Sequence, residues 1–351
     1  MSPLEMFEGH NQEIEAATTK AQTLEKILEK RTNYVNRIQG RDVNKLINIL
    51  IVPGHDDENW GTEFQGVKEV ELNRELAQNL HNYLLNEKGI NSVLASDGSG
   101  YNTIFEKYFK REEQKIEDFI KKSKKTFSKK IKKGDLDAIE KNFHNVAPAE
   151  TVYRLYGINR WVNVQNFDLV IHVHFNDYRG REWEESGTET GFSIYTPGKY
   201  FENYELSRKM ADSIFAELKK VQSVSTLESE QEGVIEDHEL IALGANESLE
   251  AGSVLVEYGY IYENNFIDPE KRKIALDYFA YATYSGIKKL INEEPQKKIF
   301  AKASLTKNKN TTENTRWQFQ KALLGEYPPE GKNFEDCPIS GYFGECSLGV
   351  K

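Results

Sequence analysis

Short unbroken apolar runs alternate along this chain with longer stretches in which apolar residues recur every three or four positions. The first run, "LINILIV" (46–52), is ended by Pro53-Gly54 and reads as a strand buried on both faces. In "EVELNRELAQNLHNYLLNEKG" (69–89) Leu72, Leu76, Leu80, Tyr83 and Leu84 share one helical face, and Gly89 suits the C-terminal stop. "INSVLAS" (90–96) then reads as a second strand. Strand, helix and strand in that order predict a right-handed crossover. The rhythm resumes with "FDLVIHVHF" (167–175) and "TGFSIYTP" (190–197) as strands and "YELSRKMADSIFAELKKV" (204–221) as an amphipathic helix. A buried strand "GSVLVEYGYI" (252–261) and a helix "PEKRKIALDYFAYATYSGIKKLI" (269–291) close it. The pattern predicts an α/β domain with an open, twisted, mostly parallel sheet flanked by helices on both faces.

Other segments break the rhythm. Residues 10–38 read as a helix with a heptad-like stripe of Ile14, Ala17, Ala21, Leu24, Leu28, Val35 and Ile38, crossed by Arg31. Such a helix either packs on its own domain or serves as a self-association or spacer helix. "FEKYFKREEQKIEDFIKKSKKTFSKKIKKGD" (105–135) is highly charged, basic toward its end, and reads as a solvated helical insertion or a surface for an anionic polymer. From about residue 300 a polar linker leads to a small unit starting at Trp317. The expected organisation is an N-terminal helical segment (1–43), a main domain (44–295) with the insertion at about 104–145, a linker (296–315) and a terminal unit (316–351).

Composition narrows the classes. With 38% hydrophobic and 11% aromatic residues the 351-residue chain carries enough apolar material for a real core and is not globally disordered. A net charge of −10 speaks against a nucleic-acid binder, and the basic insertion lacks aromatics interleaved for base stacking. No apolar run is long enough to span a bilayer, and no basic n-region followed by an apolar stretch is visible at the start. The two cysteines, Cys337 and Cys346, lie close together near the end, and their pairing stays open.

The chemistry collects where strands end. His55 follows the first strand, His172 and His174 end "LVIHVH", and Glu257 ends "SVLVE". Glu69 and Glu71 open the first long helix. In open α/β sheets, ligands bind in the crevice beyond the carboxyl ends of the strands, where such residues meet. Two imidazoles and one carboxylate make an open zinc site that keeps a position for water, and a second carboxylate can take that water's proton. His172 and His174 point to the same face, so one of them suffices as ligand. Glu257 is the least expected, because an acid inside a buried-strand pattern is costly unless it is paired or used.

The order of these pieces resembles the zinc-dependent N-acetylmuramoyl-L-alanine amidases of the amidase-3 family. The segments are "VPGH" (52–55), "EVELN" (69–73), "HVHFN" (172–176) and "VLVEYG" (254–259), and the resemblance covers roughly residues 46–292. It implies one zinc per catalytic domain held by His55, Glu69 and His174, with Glu71 and His172 outside the ligand set. It also implies Glu257 as the catalytic acid and base, and a loop- or substrate-positioning role for Asn176. The expected partner is peptidoglycan in an extracytoplasmic compartment of a bacterium, with no nucleic acid and no transmembrane segment. Two departures stand out. Asp56 and Asp57 replace the usual two glycines, and Tyr260 follows Gly259 where the family has Phe. The end of the chain, "WQFQKALLGEYPPEG" with a later "GYFG", resembles the start of a peptidoglycan-binding repeat, with Ser340 where an Asp is usual. Competing readings are a zinc amidase or peptidase acting on another amide, and a non-catalytic glycan-binding regulator.

Overall fold

The computed structural model describes residues 46–132 and 147–292, apart from positions 97, 99 and 179. The N-terminal stripe, the polar linker, the terminal unit and both cysteines lie outside the described residues.

Six strands form one sheet in the order β4-β1-β5-β8-β6-β7. They are β1 (Ile47–Pro53), β4 (Ile90–Leu94), β5 (Leu169–Asn176), β6 (Ser193–Pro197), β7 (Val234–Asp237) and β8 (Gly252–Tyr260). β4, β1, β5 and β8 run parallel, β6 runs antiparallel to β8, and β7 is parallel to β6. A two-stranded hairpin, β2 (Glu63–Phe64) and β3 (Val67–Lys68), stands apart.

Alternation of side chains divides the core. Ile49, Ile51, Ile171, Val173, Val254 and Val256 face one layer. That layer holds α1 (Glu69–Leu85), α5 (Tyr204–Leu218) and α7 (Pro269–Asn292). Leu72, Leu76, Leu80 and Leu84 of α1 meet Met210 and Ile214 of α5 and Leu276, Phe279 and Ile287 of α7 in this cluster. Asp268 caps α7, its Oδ1 accepting from the Glu270 and Lys271 amides, with Pro269 in the first helical position.

Leu50, Val52 and Val170 face the other side, under α2 (Thr103–Arg111), α3 (Glu113–Lys132) and α4 (Ala149–Gln165). Here the structure departs from the expected solvated insertion. Phe105, Tyr108, Phe109 and Ile116 are buried against the sheet with Ile158 and Val162 of α4. Seven lysines in the last twelve residues of α3 stay on the outer faces or half-buried, while Ser123 and Phe127 turn inward. The charge therefore belongs to the outside of an amphipathic cover. Asn102 starts it, its Oδ1 accepting from the Ile104 and Phe105 amides. A short helix α6 (Asn264–Ile267) leads from β8 toward α7.

Candidate active site

β1, β5 and β8 lie side by side, so their carboxyl ends deliver side chains to one place. Pro53 ends β1, and the Gly54 amide still donates to the Val173 carbonyl at 2.8 Å. A Cβ on Gly54 would sit 2.2 Å from Cε1 of His174, so only glycine lets that ring lie across the turn. His55 follows with φ of +68°, the left-handed region that non-glycine residues rarely adopt. The loop behind it is self-supporting. Oδ1 of Asp56 accepts from the Glu58 and Asn59 amides, and Asp57 pairs with Arg74 at 2.7 Å. Gly61, at φ of +79°, makes room on the other side: a Cβ there would lie 2.2 Å from Oε2 of Glu69.

Glu69, the first residue of α1, is buried between both imidazoles. Its Oε2 lies 3.0 Å from Nε2 of His55, and its Oε1 lies 3.0 Å from Nδ1 of His174. The Thr62 and Phe175 amides donate to the same carboxylate at 3.1 and 3.2 Å. Burial alone would raise the Glu69 pKa, but His55 and His174, through charge and hydrogen bonds, hold it well below the usual carboxylate range. His55 is pushed the other way: burial opposes its charge, and the Glu69 carboxylate outweighs that and raises it. Ligand atoms of His55, Glu69 and His174 all fall within 4.8 Å of one another, close enough to share a metal ion. Asn73, one turn into α1 and fully buried, donates to the Gly54 carbonyl at 3.0 Å and ties that helix to the His55 turn.

Two residues left open by the spacing are now placed. Glu71 is exposed on α1, away from this cluster. His172 shares a face with His174 but sits one layer deeper, 1% exposed, with Nε2 unpartnered. Burial and then the nearby His174 depress its pKa to about 3.

Glu257 is in register with His174 across the β5–β8 pair and is 7% exposed. Its Oε2 has no hydrogen-bond partner among the described residues. Burial, then the charges of Glu69 and Glu230, raise its pKa well above the ordinary value.

Two imidazoles, a carboxylate between them and a second carboxylate with an unpartnered oxygen beside them recur in hydrolases that activate water. The sequence profile of the N-acetylmuramoyl-L-alanine amidases matches residues 49–289. The chain belongs to that family. Family members hydrolyse the amide between N-acetylmuramic acid and L-alanine in peptidoglycan, and this amidase is an enzyme of that kind. Among solved structures it is similar to the N-acetylmuramoyl-L-alanine amidase from Clostridium difficile 630, at 16% identity over 72% of this chain and 100% of that one, with a TM-score of 0.45. It is also similar to Ami1 from Mycobacterium smegmatis, at 13% identity over 70% and 97%, with a TM-score of 0.46. A third similar structure is the catalytic domain of CwlV from Bacillus (Paenibacillus) polymyxa, at 12% identity over 70% and 97%, with a TM-score of 0.43. No curated protein matches the chain.

The amidase surrounds this cluster with Asn176, which the family resemblance singled out, and with Asp177 and Arg181, which motif reading passed over. Asn176 turns its amide toward Glu230 and the Asp177 backbone. Its Nδ2 donates to Oε1 of Glu230 at 3.0 Å, and its Oδ1 accepts from the Asp177 amide. Asp177 is clamped in turn by Thr62 Oγ1 at 2.6 Å and by a two-point contact from Arg181 at 2.6 and 3.0 Å. The Arg181 side chain is 3% exposed and also donates to the Glu63 carbonyl at 3.0 Å. One guanidinium therefore fastens the loop after β5 to the start of β2. Nothing in the local pattern "NDYRGR" marks this clamp, because its partners lie 115 and 118 residues away in sequence.

Proposed function

We propose that the amidase works with zinc held by His55, Glu69 and His174, and that Glu257 moves the protons. The donor set supports the metal: two imidazole nitrogens and a carboxylate that both of them already contact. Zinc bound there supplies Lewis acidity to water and carbonyl, and its positive charge opposes the Glu69 repulsion that raises Glu257. Glu69 is held in place by the Thr62 and Phe175 amides, at 3.0 Å from one nitrogen of each imidazole. Glu257 accepts a proton as the water oxygen bonds to the carbonyl carbon. The same carboxyl group then delivers that proton to the alanine nitrogen as the carbon–nitrogen bond breaks, and it ends the cycle as it began. Asn176 holds the loop behind His174, and its bonds to Glu230 and Asp177 support that role over contact with substrate.

The observation that carries the role of Glu257 is its buried, unpartnered Oε2 beside His174. Burying a carboxylate with an open acceptor is costly unless chemistry uses it. Cleavage of peptidoglycan places the work outside the inner membrane. Among the described residues no helix is long and apolar enough to cross a membrane.

The test pairs wild type with Glu257→Gln. Zinc per chain is measured by elemental analysis, and new L-alanine amino termini are counted after incubation with purified peptidoglycan. Both proteins are expected to hold about one zinc, and the variant to lose on the order of 10²- to 10⁴-fold in rate. A zinc-free wild type, or an active Glu257→Gln, would overturn the reading.

A further inference from the structure

A third buried carboxylate stands behind the cluster and has no role in the steps above. Glu230, at the end of a 3-10 turn (Glu228–Glu230), is 2% exposed. Its Oε1 accepts from Asn176 Nδ2 at 3.0 Å and from the Tyr195 hydroxyl at 2.7 Å. Its Oε2 accepts from Ser225 Oγ at 2.6 Å and from the Tyr260 hydroxyl at 3.1 Å. Among the described residues no lysine, arginine or histidine lies within ion-pair distance of it. An isolated buried anion is costly even with all its lone pairs occupied, and four donors moderate that cost without removing it.

The donors come from the strands that carry the cluster. Asn176 closes β5, two residues after His174, at a point where the β5–β8 register shifts. Tyr260 closes β8 opposite Asn176, three residues after Glu257. Tyr195 pairs with Leu255 from the β6 side. The Glu230 carboxylate thus gathers the ends of β5 and β8 and the middle of β6 into one knot. Glu69, Glu230 and Glu257 are then three acids, 4%, 2% and 7% exposed, gathered in one region. Such an arrangement favours a cation of high charge.

We propose that Glu230 is a positioning residue for the metal centre. It fixes the end of β5 through Asn176, so that His174 is held on station, and its charge adds to the field that retains a dication. The inference rests on the zinc reading above. Groups that hydrogen-bond a metal ligand typically change metal affinity by about 10- to 100-fold; Glu230 acts one contact further out, through Asn176, so the low end of that range is expected.

Two variants separate charge from scaffold. Glu230→Gln keeps shape and can keep four hydrogen bonds, because the Ser225 and Tyr260 hydroxyls can turn to accept from the new amide. Glu230→Ala leaves four donors without their acceptor. Zinc affinity is measured by competition with a chromophoric chelator, alongside the melting temperature of metal-free protein. For Glu230→Gln, metal-free melting close to wild type and zinc binding about 10-fold weaker or more are expected, with kcat reduced and KM little changed. Combining it with Asn176→Ala should give less than the sum of the two losses, because both act on one strand end.

Wild type that holds zinc together with a Glu230→Gln protein of equal affinity would overturn this inference and leave the zinc reading standing. Wild type that binds no zinc would remove both. Additive losses in the double variant would reject the route through Asn176.

Discussion

Gly54→Ala puts one methyl group where the structure has no space for it. The new Cβ would lie 2.2 Å from Cε1, 2.4 Å from Nε2 and 2.6 Å from Nδ1 of His174, against ordinary contact from 3.4 Å upward. The ring must retreat by about 1.2 Å or swing aside. A swinging side chain yields more cheaply than backbone, so metal-free stability should fall by no more than the roughly 1–3 kcal/mol of an overpacked core. The ring cannot retreat and still meet Glu69 Oε1 at 3.0 Å. Displacement of a reacting group by about 1 Å can cost on the order of 10²-fold in rate. Weaker zinc binding and a comparable drop in release of L-alanine amino termini are therefore expected, from protein that still folds. Chelator competition, circular dichroism melting and the peptidoglycan assay read the three quantities. A Gly54→Ala protein with wild-type zinc affinity and rate would refute the reasoning, since His174 would then not be confined by the turn.

Other expectations follow from the same geometry. Asn73→Leu removes the donor to the Gly54 carbonyl, so chemical denaturation should show a loss of about 1–3 kcal/mol, and zinc affinity should fall by about 10-fold or more. His172→Leu should keep full zinc content, because this histidine is buried below the ligands; loss of zinc there would contradict its exclusion. The same variant tests a pH effect. The His172 pKa is depressed in the folded state to about 3, so the unfolded chain binds the extra proton as pH falls below about 6.5, and stability is lost from there toward pH 3. Between pH 7 and pH 5 wild type should lose about 2 kcal/mol more than His172→Leu in urea denaturation. Phe105→Ala should cost about 3–5 kcal/mol in stability with little change in rate per folded molecule, because Phe105 packs with Phe109 and Trp161 in the cluster on the α2 side of the sheet.

The strands and helices of the main layer are legible because each carries one clear period. β1, α1, β4, β5, α5, β8 and α7 each sit within a few residues of their patterns. β7 is not legible: "VIED" is four residues long with two acids, and it pairs only because β6 lies beside it. α4 is also missed. "AETVYRLYGINRWVNVQ" scatters aromatics and asparagines around the helix, and its polar groups are satisfied by distant partners, such as Asn159 donating to the Ile241 carbonyl. The charged segment is helical over its described part, to Lys132, but its lysines mask the buried stripe of Phe105, Phe109 and Ile116. In the site, His55 and Glu257 stand out as strand-end chemistry, while the preference for Glu69 over Glu71 and for His174 over His172 comes only with the family resemblance; the structure brings ligand atoms of His55, Glu69 and His174 within 4.8 Å of one another. Glu230 and Arg181 are not readable, since each matters only through contacts made across the fold. Asp56 and Asp57, which stand where the family has glycines, prove to be loop-builders, one making a turn and the other an ion pair.

The strand order also sets a sequence of events. His55 and Glu69 belong to one local strand–loop–helix unit, so a partly folded chain can present both together. His174 joins them only once β5 has docked between β1 and β8, a long-range closure of the kind that slows folding. On the proposed zinc reading, His55 and Glu69 alone would give a weak grip, and His174 would convert it into a strong one. Metal uptake during refolding is therefore expected to lag helix formation and to coincide with completion of the sheet. The ion would act as a latch on an assembled domain rather than a seed for it, so stripping it from finished protein should silence the enzyme and leave the architecture in place.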